Sequence, residues 1–174
     1  MIDKLVDALI FIMPAYFANA APVLFRTGKS KTPMDMKLKF YDSRRILGEG
    51  KTWAGFFVGI ITGTLIGTLI WIIGLQRIYS LETHILVSFL LSTGTMVGDA
   101  FGSFIKRRIS IRRGKPFPLL DQLGFLVFAL LFAYNYLPSF MDAYILSLLI
   151  VITFFVHYFA NVIAYKIKLK RVPW

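Results

Sequence analysis

The length of its apolar runs constrains this chain more than any motif in it. Five stretches, Leu5 to Phe25, Ala54 to Leu75, Ile85 to Phe104, Leu119 to Leu137 and Ala143 to Tyr165, are mostly apolar over the length of a span. A helix needs about 20 such residues to cross a hydrocarbon core of roughly 30 Å. Within the runs the apolar residues follow neither the 3.6-residue nor the 2-residue period of an amphipathic element, and the chain is 57% hydrophobic with mean hydropathy +0.68. That is the composition of a membrane protein. The expected fold is all-α: a polytopic integral membrane protein of five transmembrane helices, with residues 1–174 forming one domain. The first run carries Asp3 and Asp7 and lacks both a basic leader and a small-residue cleavage site. It reads as a retained helix rather than a signal peptide.

A net charge of +11 would point to nucleic acid in a soluble chain, but here the position of the charges matters more than their sum. Eight of the 20 Lys and Arg lie between Arg26 and Lys51, six between Lys106 and Lys115, and four between Lys166 and Arg171. Five spans put the loops at about 26–53 and 104–118 and the C-terminal tail on one side. The positive-inside rule makes that side the cytoplasm, with the N-terminus outside. Anionic lipid at the cell membrane is thus the expected partner of these cations, and no nucleic acid is implied. The chain has no cysteine, which removes disulfides, thiolate nucleophiles and thiolate metal sites.

Glycines recur every fourth residue at Gly55, Gly59, Gly63 and Gly67 and again at Gly94, Gly98 and Gly102. Small-residue ridges let helix backbones approach in lipid, where apolar tails remove the hydrophobic drive between helices. The second and third spans are therefore expected to pack tightly, against each other or another helix, with a homodimer seam as the alternative.

Polar residues gather at one depth on the cytoplasmic side: Asn19, Lys51 with Thr52, Asp99, Asp121 and Asn161, one group per helix. A carboxylate inside a span costs at least about 2.5 kcal/mol and marks a functional position by default. Ser92, Thr95, Asp99 and Ser103 share one helix face, a candidate wall of a polar cavity. Back-bonding to helix carbonyls explains the hydroxyls but not Asp99. Asp99 and Asp121, joined by a strongly basic loop, fit a Mg²⁺ site that takes one or two carboxylates and completes its shell with phosphate and water. The competing reading is a plain salt-bridge network. "GEGKT" at Gly48 to Thr52 resembles the end of a P-loop, yet Arg45 stands where the first glycine belongs and no strand precedes it. What survives is a Lys-Thr pair and two glycines at a helix start, suited to an anion. His84 and His157 are too few and too distant to act as ligands or base.

Several blocks in order, "PAYFANAAPVL", "DSRRILGEGKTWAGF", "GDAFGSFIKRR", "FPLLDQLGF" and the terminal "VPW", closely resemble the archaeal CDP-archaeol synthase family, and more distantly the CDP-diacylglycerol synthases. The resemblance implies a Mg²⁺-dependent membrane cytidylyltransferase that joins CTP to an unsaturated isoprenoid ether-lipid phosphate, giving the CDP-lipid and pyrophosphate. It implies that Asp99 and Asp121 are the metal carboxylates, that Lys51 and Lys106 are catalytic, and that Thr52 and Arg107 bind substrate. Arg44 and Arg45 are further phosphate-binding candidates, Thr95 and Ser103 line the site, and Asn19 and Asn161 are candidates to orient the lipid head or the cytosine. Ala54 stands where the diacylglycerol branch has Glu, and "PFPLLDQ" replaces its Gly-His-Gly-Gly stretch, which favours the archaeal branch. A small transporter is the rival from another class, but alternating access needs a site near the midplane. A CDP-alcohol phosphotransferase needs clustered Asp residues that this chain lacks.

Overall fold

The computed structural model describes residues 1–27, 32–111, 115–170 and 172–173. Lys29, Lys31, Arg112, Arg113 and Arg171 of the basic clusters, and Trp174 of the terminal Val-Pro-Trp, lie outside the described residues. The described residues form five α-helices in succession: α1 (Ile2–Leu24), α2 (Trp53–Ile72), α3 (Leu81–Arg108), α4 (Pro118–Phe132) and α5 (Ala143–Lys166). Among the described residues there is no strand, only isolated bridges Pro33–Thr52 and Lys39–Arg45 in the loop before α2. The protein is thus an all-helical, multi-pass membrane protein.

Among the described residues four helices, α1, α2, α3 and α5, are long and apolar enough to cross a membrane. α4 is the exception. Its 15 residues rise about 22 Å, short of a hydrocarbon core of about 30 Å. The expected run continued to Leu137, but the chain leaves the helix at Ala133, makes a 3₁₀ turn over Tyr134–Tyr136 and becomes extended at Leu137 (ψ 125°). Pro138 accounts for the extended Leu137, because a proline disfavours helical backbone in the residue before it. α3 departs in the other direction: 28 residues span about 42 Å, so one of its ends stands clear of the hydrocarbon.

Packing follows the small residues. α1 lies at the centre, burying Ala8, Phe11, Ile12, Ala15, Ala18 and Ala21. α2 lays its glycines on α1 and α3: a Cβ on Gly59 would sit 2.9 Å from the Ala18 carbonyl oxygen, and one on Gly63 would lie 2.5 Å from that of Pro14. α3 meets α4 the same way, with a Cβ on Gly98 placed 2.8 Å from the Gly124 carbonyl oxygen. The glycine ridges are therefore covered within this one chain. Ser88 and Ser92 donate back to the carbonyls of His84 and Ser88 at 2.8 and 2.7 Å and face α2, so Ser92 belongs to helix packing and not to a cavity wall. α5 is held more loosely, tied to α1 by the Tyr16–Thr153 hydroxyl pair at 2.7 Å.

At the end opposite the site, polar contacts finish the helices. Ser80 and Asp142 accept from the first-turn amides of α3 and α5, and Gln76 donates to the Asp7 carbonyl at 2.8 Å. The tight helix seams carry a testable consequence. Gly63→Ala drives its methyl into the Ser92 hydroxyl and the Pro14 carbonyl and is expected to cost about 1–3 kcal/mol, read as a lowered thermal midpoint in detergent. Gly124→Ala, whose Cβ would meet only Leu120 Cδ1 at 3.6 Å, leaves the midpoint in place.

Candidate active site

The loop before α2 is built around one carboxylate. Asp35 is 4% exposed and accepts from the amides of Lys37, Leu47 and Gly48 at 3.1, 3.2 and 2.8 Å and from Arg45 Nε at 3.1 Å. Burial by itself raises the Asp35 pKa. The Arg45 guanidinium and the three amides outweigh it and hold the carboxyl down at about 2. Gly48 can take its left-handed backbone (φ 92°) at this closure because it has no Cβ.

The same loop docks on the end of α3. Arg44 Nη1 donates to the Arg108 carbonyl at 2.8 Å, supplying a cation to a helix C-terminus whose last carbonyls lack partners. Arg108 returns the contact to Asp42 at 3.1 Å and to the Arg45 carbonyl at 2.7 Å, with its guanidinium stacked 4.8 Å from the Phe40 ring and 5.0 Å from Phe104. Arg44 and Arg45, expected to bind phosphates, thus have structural work: one caps a helix and the other neutralises a buried carboxylate.

Docking the loop fixes Lys51. Met34 N donates to the Lys51 carbonyl at 2.8 Å, and Thr52, 3% exposed, caps α2 by accepting from Gly55 N at 3.1 Å while donating to the Thr27 carbonyl at 3.1 Å. Thr52 is therefore fully engaged as a positioning residue. Lys51 Nζ forms an ion pair with Asp99 Oδ2. This pair lies on the wall of a cleft between α1, α2 and α3 that Pro22, Thr27, Phe56 and Met96 also line.

The second carboxylate mirrors the first. Asp121 Oδ2 accepts from Phe117 N at 2.9 Å, where a negative group in the first turn of α4 meets an orphan amide and the positive helix end. Its Oδ1 pairs with Lys106 Nζ at 2.6 Å. Lys106, on the protruding last turns of α3, reaches α4 because Gly94 and Gly98 bring the two backbones together.

The remaining candidates fall around these pairs. Thr95, one turn from Asp99, is fully buried with an unpartnered hydroxyl, and Ser103 is half-buried one turn further on. Arg107 lies over Gly48, its Cδ 3.9 Å from where a Cβ would be. Asn19 is half-buried one turn before Pro22. Asn161, 8% exposed, accepts from Lys170 Nζ at 2.9 Å. His157 sits nearer the site than its place in the sequence suggests: its ring packs edge-on against Phe125 (centroids 5.1 Å), one turn from Asp121. Among the described residues no three acidic or imidazole groups converge as a metal cage. Two carboxylates of hard oxygen, each facing a cation, fit the kind of Mg²⁺ site that phosphates complete.

Sequence and fold comparisons converge on one group of proteins. The family model described as CarS-like, CDP-archaeol synthase, matches residues 1–174. The chain belongs to the CDP-archaeol synthase family. It is 49% identical over 172 residues to a CDP-archaeol synthase of Pyrococcus horikoshii, covering 99% of this chain and 98% of that one. A CDP-archaeol synthase of Thermococcus gammatolerans is 50% identical over 167 residues, with 96% and 95% covered. A solved intramembrane enzyme for archaeal membrane lipid biosynthesis superposes with a TM-score of 0.79 at 32% identity, over 90% of this chain and 94% of that one.

Asp35, which no sequence motif singles out, sets the acid sensitivity of the loop. Its carboxyl titrates lower when folded than when unfolded, so its contribution is present above about pH 4 and disappears as pH falls toward 2. Asp35→Asn should remove that acid-dependent step and, by depriving Arg45 and two or three amides of their acceptor, cost about 1–3 kcal/mol. Limited proteolysis of the loop at neutral pH and at pH 3 reads both effects.

Proposed function

We propose that the two lysine–carboxylate pairs are the resting form of a Mg²⁺-dependent cytidylyltransferase site that makes a CDP-lipid from CTP and an isoprenoid ether-lipid phosphate. The observation that carries this reading is the pairing itself: Lys51 with Asp99 and Lys106 with Asp121, at one end of the bundle, in a chain of the CDP-archaeol synthase family. Asp99 and Asp121 would hold the cation, which when bound supplies positive charge to the nucleotide's phosphate oxygens. Lys51 and Lys106, released from the carboxylates, are then placed to bind phosphates.

A phosphate oxygen of the lipid attacks the α-phosphorus of CTP, the new P–O bond forms, and the bond to the bridging oxygen breaks to release pyrophosphate. The nucleophile is already an anion, so no base is required. Catalysis reduces to alignment and to neutralising charge on the leaving group. Arg107, Ser103 and Asn19, half-buried on α3 and α1, are further candidates to touch substrate, whereas Thr95 is fully buried. The lipid tails stay in the membrane, and an apolar groove between α4 and α5, lined by Leu119, Leu123, Ile150, Val151, Phe154 and Phe155, begins beside Asp121 and suits them.

Asp99→Asn and Asp121→Asn should each lower turnover by at least about a hundredfold, a loss on the scale of removing a preorganised charge partner. Glu82→Gln, at the far end of α3, should leave it intact. Transfer of radiolabel from CTP to the organic phase, with Mg²⁺ or EDTA, measures all three. Full activity in either Asn variant would overturn the metal assignment.

We also infer that all five helices cross the membrane, with α4 and the segment to Leu137 together making the fourth span, so that the site faces the cytoplasm. The chain has no native cysteine, which makes labelling direct. Ser139→Cys should react with an impermeant maleimide in intact cells, whereas Ser110→Cys should react only after permeabilisation. Equal labelling of both would reject five spans.

A further inference from the structure

The loop before α2 turns an apolar tip outward. Directly after the buried Asp35 come Met36, Leu38 and Tyr41, which are 68%, 60% and 90% exposed. Leu38 N donates to the Asp35 carbonyl at 2.7 Å and closes a tight turn in which Met36 and Lys37 both take left-handed backbone (φ 44° and 66°). The central positions of such a turn favour glycine, asparagine or aspartate, which would serve if the turn only reversed the chain in water. Methionine and lysine bear a steric cost there, so the tip keeps side chains that chain reversal does not require. Lys37 and Lys39 alternate with the apolar residues, are exposed, and make no ion pair among the described residues. Apolar side chains interleaved with long cations suit a segment lying in a head-group layer, where the apolar groups enter the acyl boundary and the ammonium groups meet anionic lipid.

The tip is joined to the membrane wall of the bundle by a chain of rings. Tyr41 and Phe40 lie 4.6 Å apart, Phe40 meets Phe104 of α3 edge-on at 5.6 Å, and Phe104 stacks on Phe101 at 6.5 Å. Phe101 is 43% exposed on the flank of a membrane-crossing helix and touches Phe128 of α4 at 5.1 Å. Aromatic surface thus runs without a break from the flank of α3 and α4 to the loop. Arg108 lies over the Phe40 and Phe104 rings, a cation on aromatic faces at the depth where aromatic belts and snorkelling arginines meet head groups. A patch that continues the lipid-covered flank and carries unpaired cations fits one occupant, the leaflet at its own end of the bundle.

We propose that residues 36–41 dock into the anionic head-group layer of that leaflet, with Met36, Leu38 and Tyr41 entering the acyl boundary and Lys37 and Lys39 binding lipid phosphates. Docking braces the loop from its outer side. Lys51 stands at the far end of the same loop and pairs with Asp99, so the leaflet steadies the segment that presents Lys51 to the site.

The test uses the full chain in nanodiscs holding one chain each, where no second copy can cover the tip. Met36→Cys and Tyr41→Cys, in a chain without native cysteine, each carry an environment-sensitive dye. Ser110→Cys, exposed beyond the end of α3, is the reference. The discs contain phosphatidylcholine and phosphatidylglycerol, with a fraction of lipid bearing a nitroxide near the head group. The nitroxide is expected to quench the dyes at positions 36 and 41 at least about threefold more than the dye at 110, as a segment lying in the interface requires. Lys37→Gln together with Lys39→Gln should remove about half or more of that difference, and so should discs of phosphatidylcholine alone, because each lysine near an anionic surface adds to the attraction. Quenching at 36 and 41 no greater than at 110 would overturn the docking. Equal quenching with and without phosphatidylglycerol would overturn the role of the two lysines. Shielding that arises only in discs holding two chains would make the patch an interface between copies and overturn the assignment to lipid.

Discussion

Everything at the site depends on how closely four helix backbones approach. In lipid, burying one leucine against another gains little, because the tails are as apolar as the side chain. The chain instead removes side chains where helices cross. Pro14 and Ala18 on α1 meet Gly59 and Gly63 on α2, while Gly94 and Gly98 on α3 meet the backbone of Phe128 and Gly124 on α4. Lysine is long, but the reach of Lys51 to Asp99 and of Lys106 to Asp121 still requires neighbouring helices almost in backbone contact. Larger residues along these seams would separate the pairs.

Upon that scaffold the electrostatics sort into two kinds. Asp35 holds Arg45, and Asp42 holds Arg108, whose planar fork also meets the Arg45 carbonyl and stacks on Phe40 and Phe104, contacts that rigidify the loop. Asp99 and Asp121 hold lysines, compact charges that can exchange one oxygen partner for another. In one loop, Arg44 and Arg45 hold backbone and a buried carboxylate in place, while Lys51 reaches across to a carboxylate on another helix.

Much of this is legible in the sequence, and the remainder is hidden for identifiable physical reasons. Hydropathy alone locates the helices, since a run of apolar residues that long has little use outside lipid, and the cost of an intramembrane carboxylate singles out Asp99 and Asp121. The four-residue glycine spacing discloses the seams though not their partners. The shortness of α4 escapes because a hydropathy window scores how apolar a run is and not where its backbone leaves the helix. Asp35 escapes because it lies in an irregular loop, where contacts with Arg45, Leu47 and Gly48 follow no period. Ser92 shares a helix face with Asp99, but a shared face says which residues align and not which neighbour they meet. His157 is far from the carboxylates along the chain, a distance that the packing of α5 against α4 makes a poor guide.

The unequal lengths of α3 and α4 carry a consequence for the bilayer itself. These neighbours run about 42 Å and 22 Å, so lipid beside α4 meets a hydrophobic wall thinner than its own core. Membranes accommodate a short wall by thinning locally, at a fraction of a kcal/mol for each ångström. A bilayer thinned beside α4 would let a lipid head group approach Pro118 and Asp121 in its first turn without leaving the leaflet.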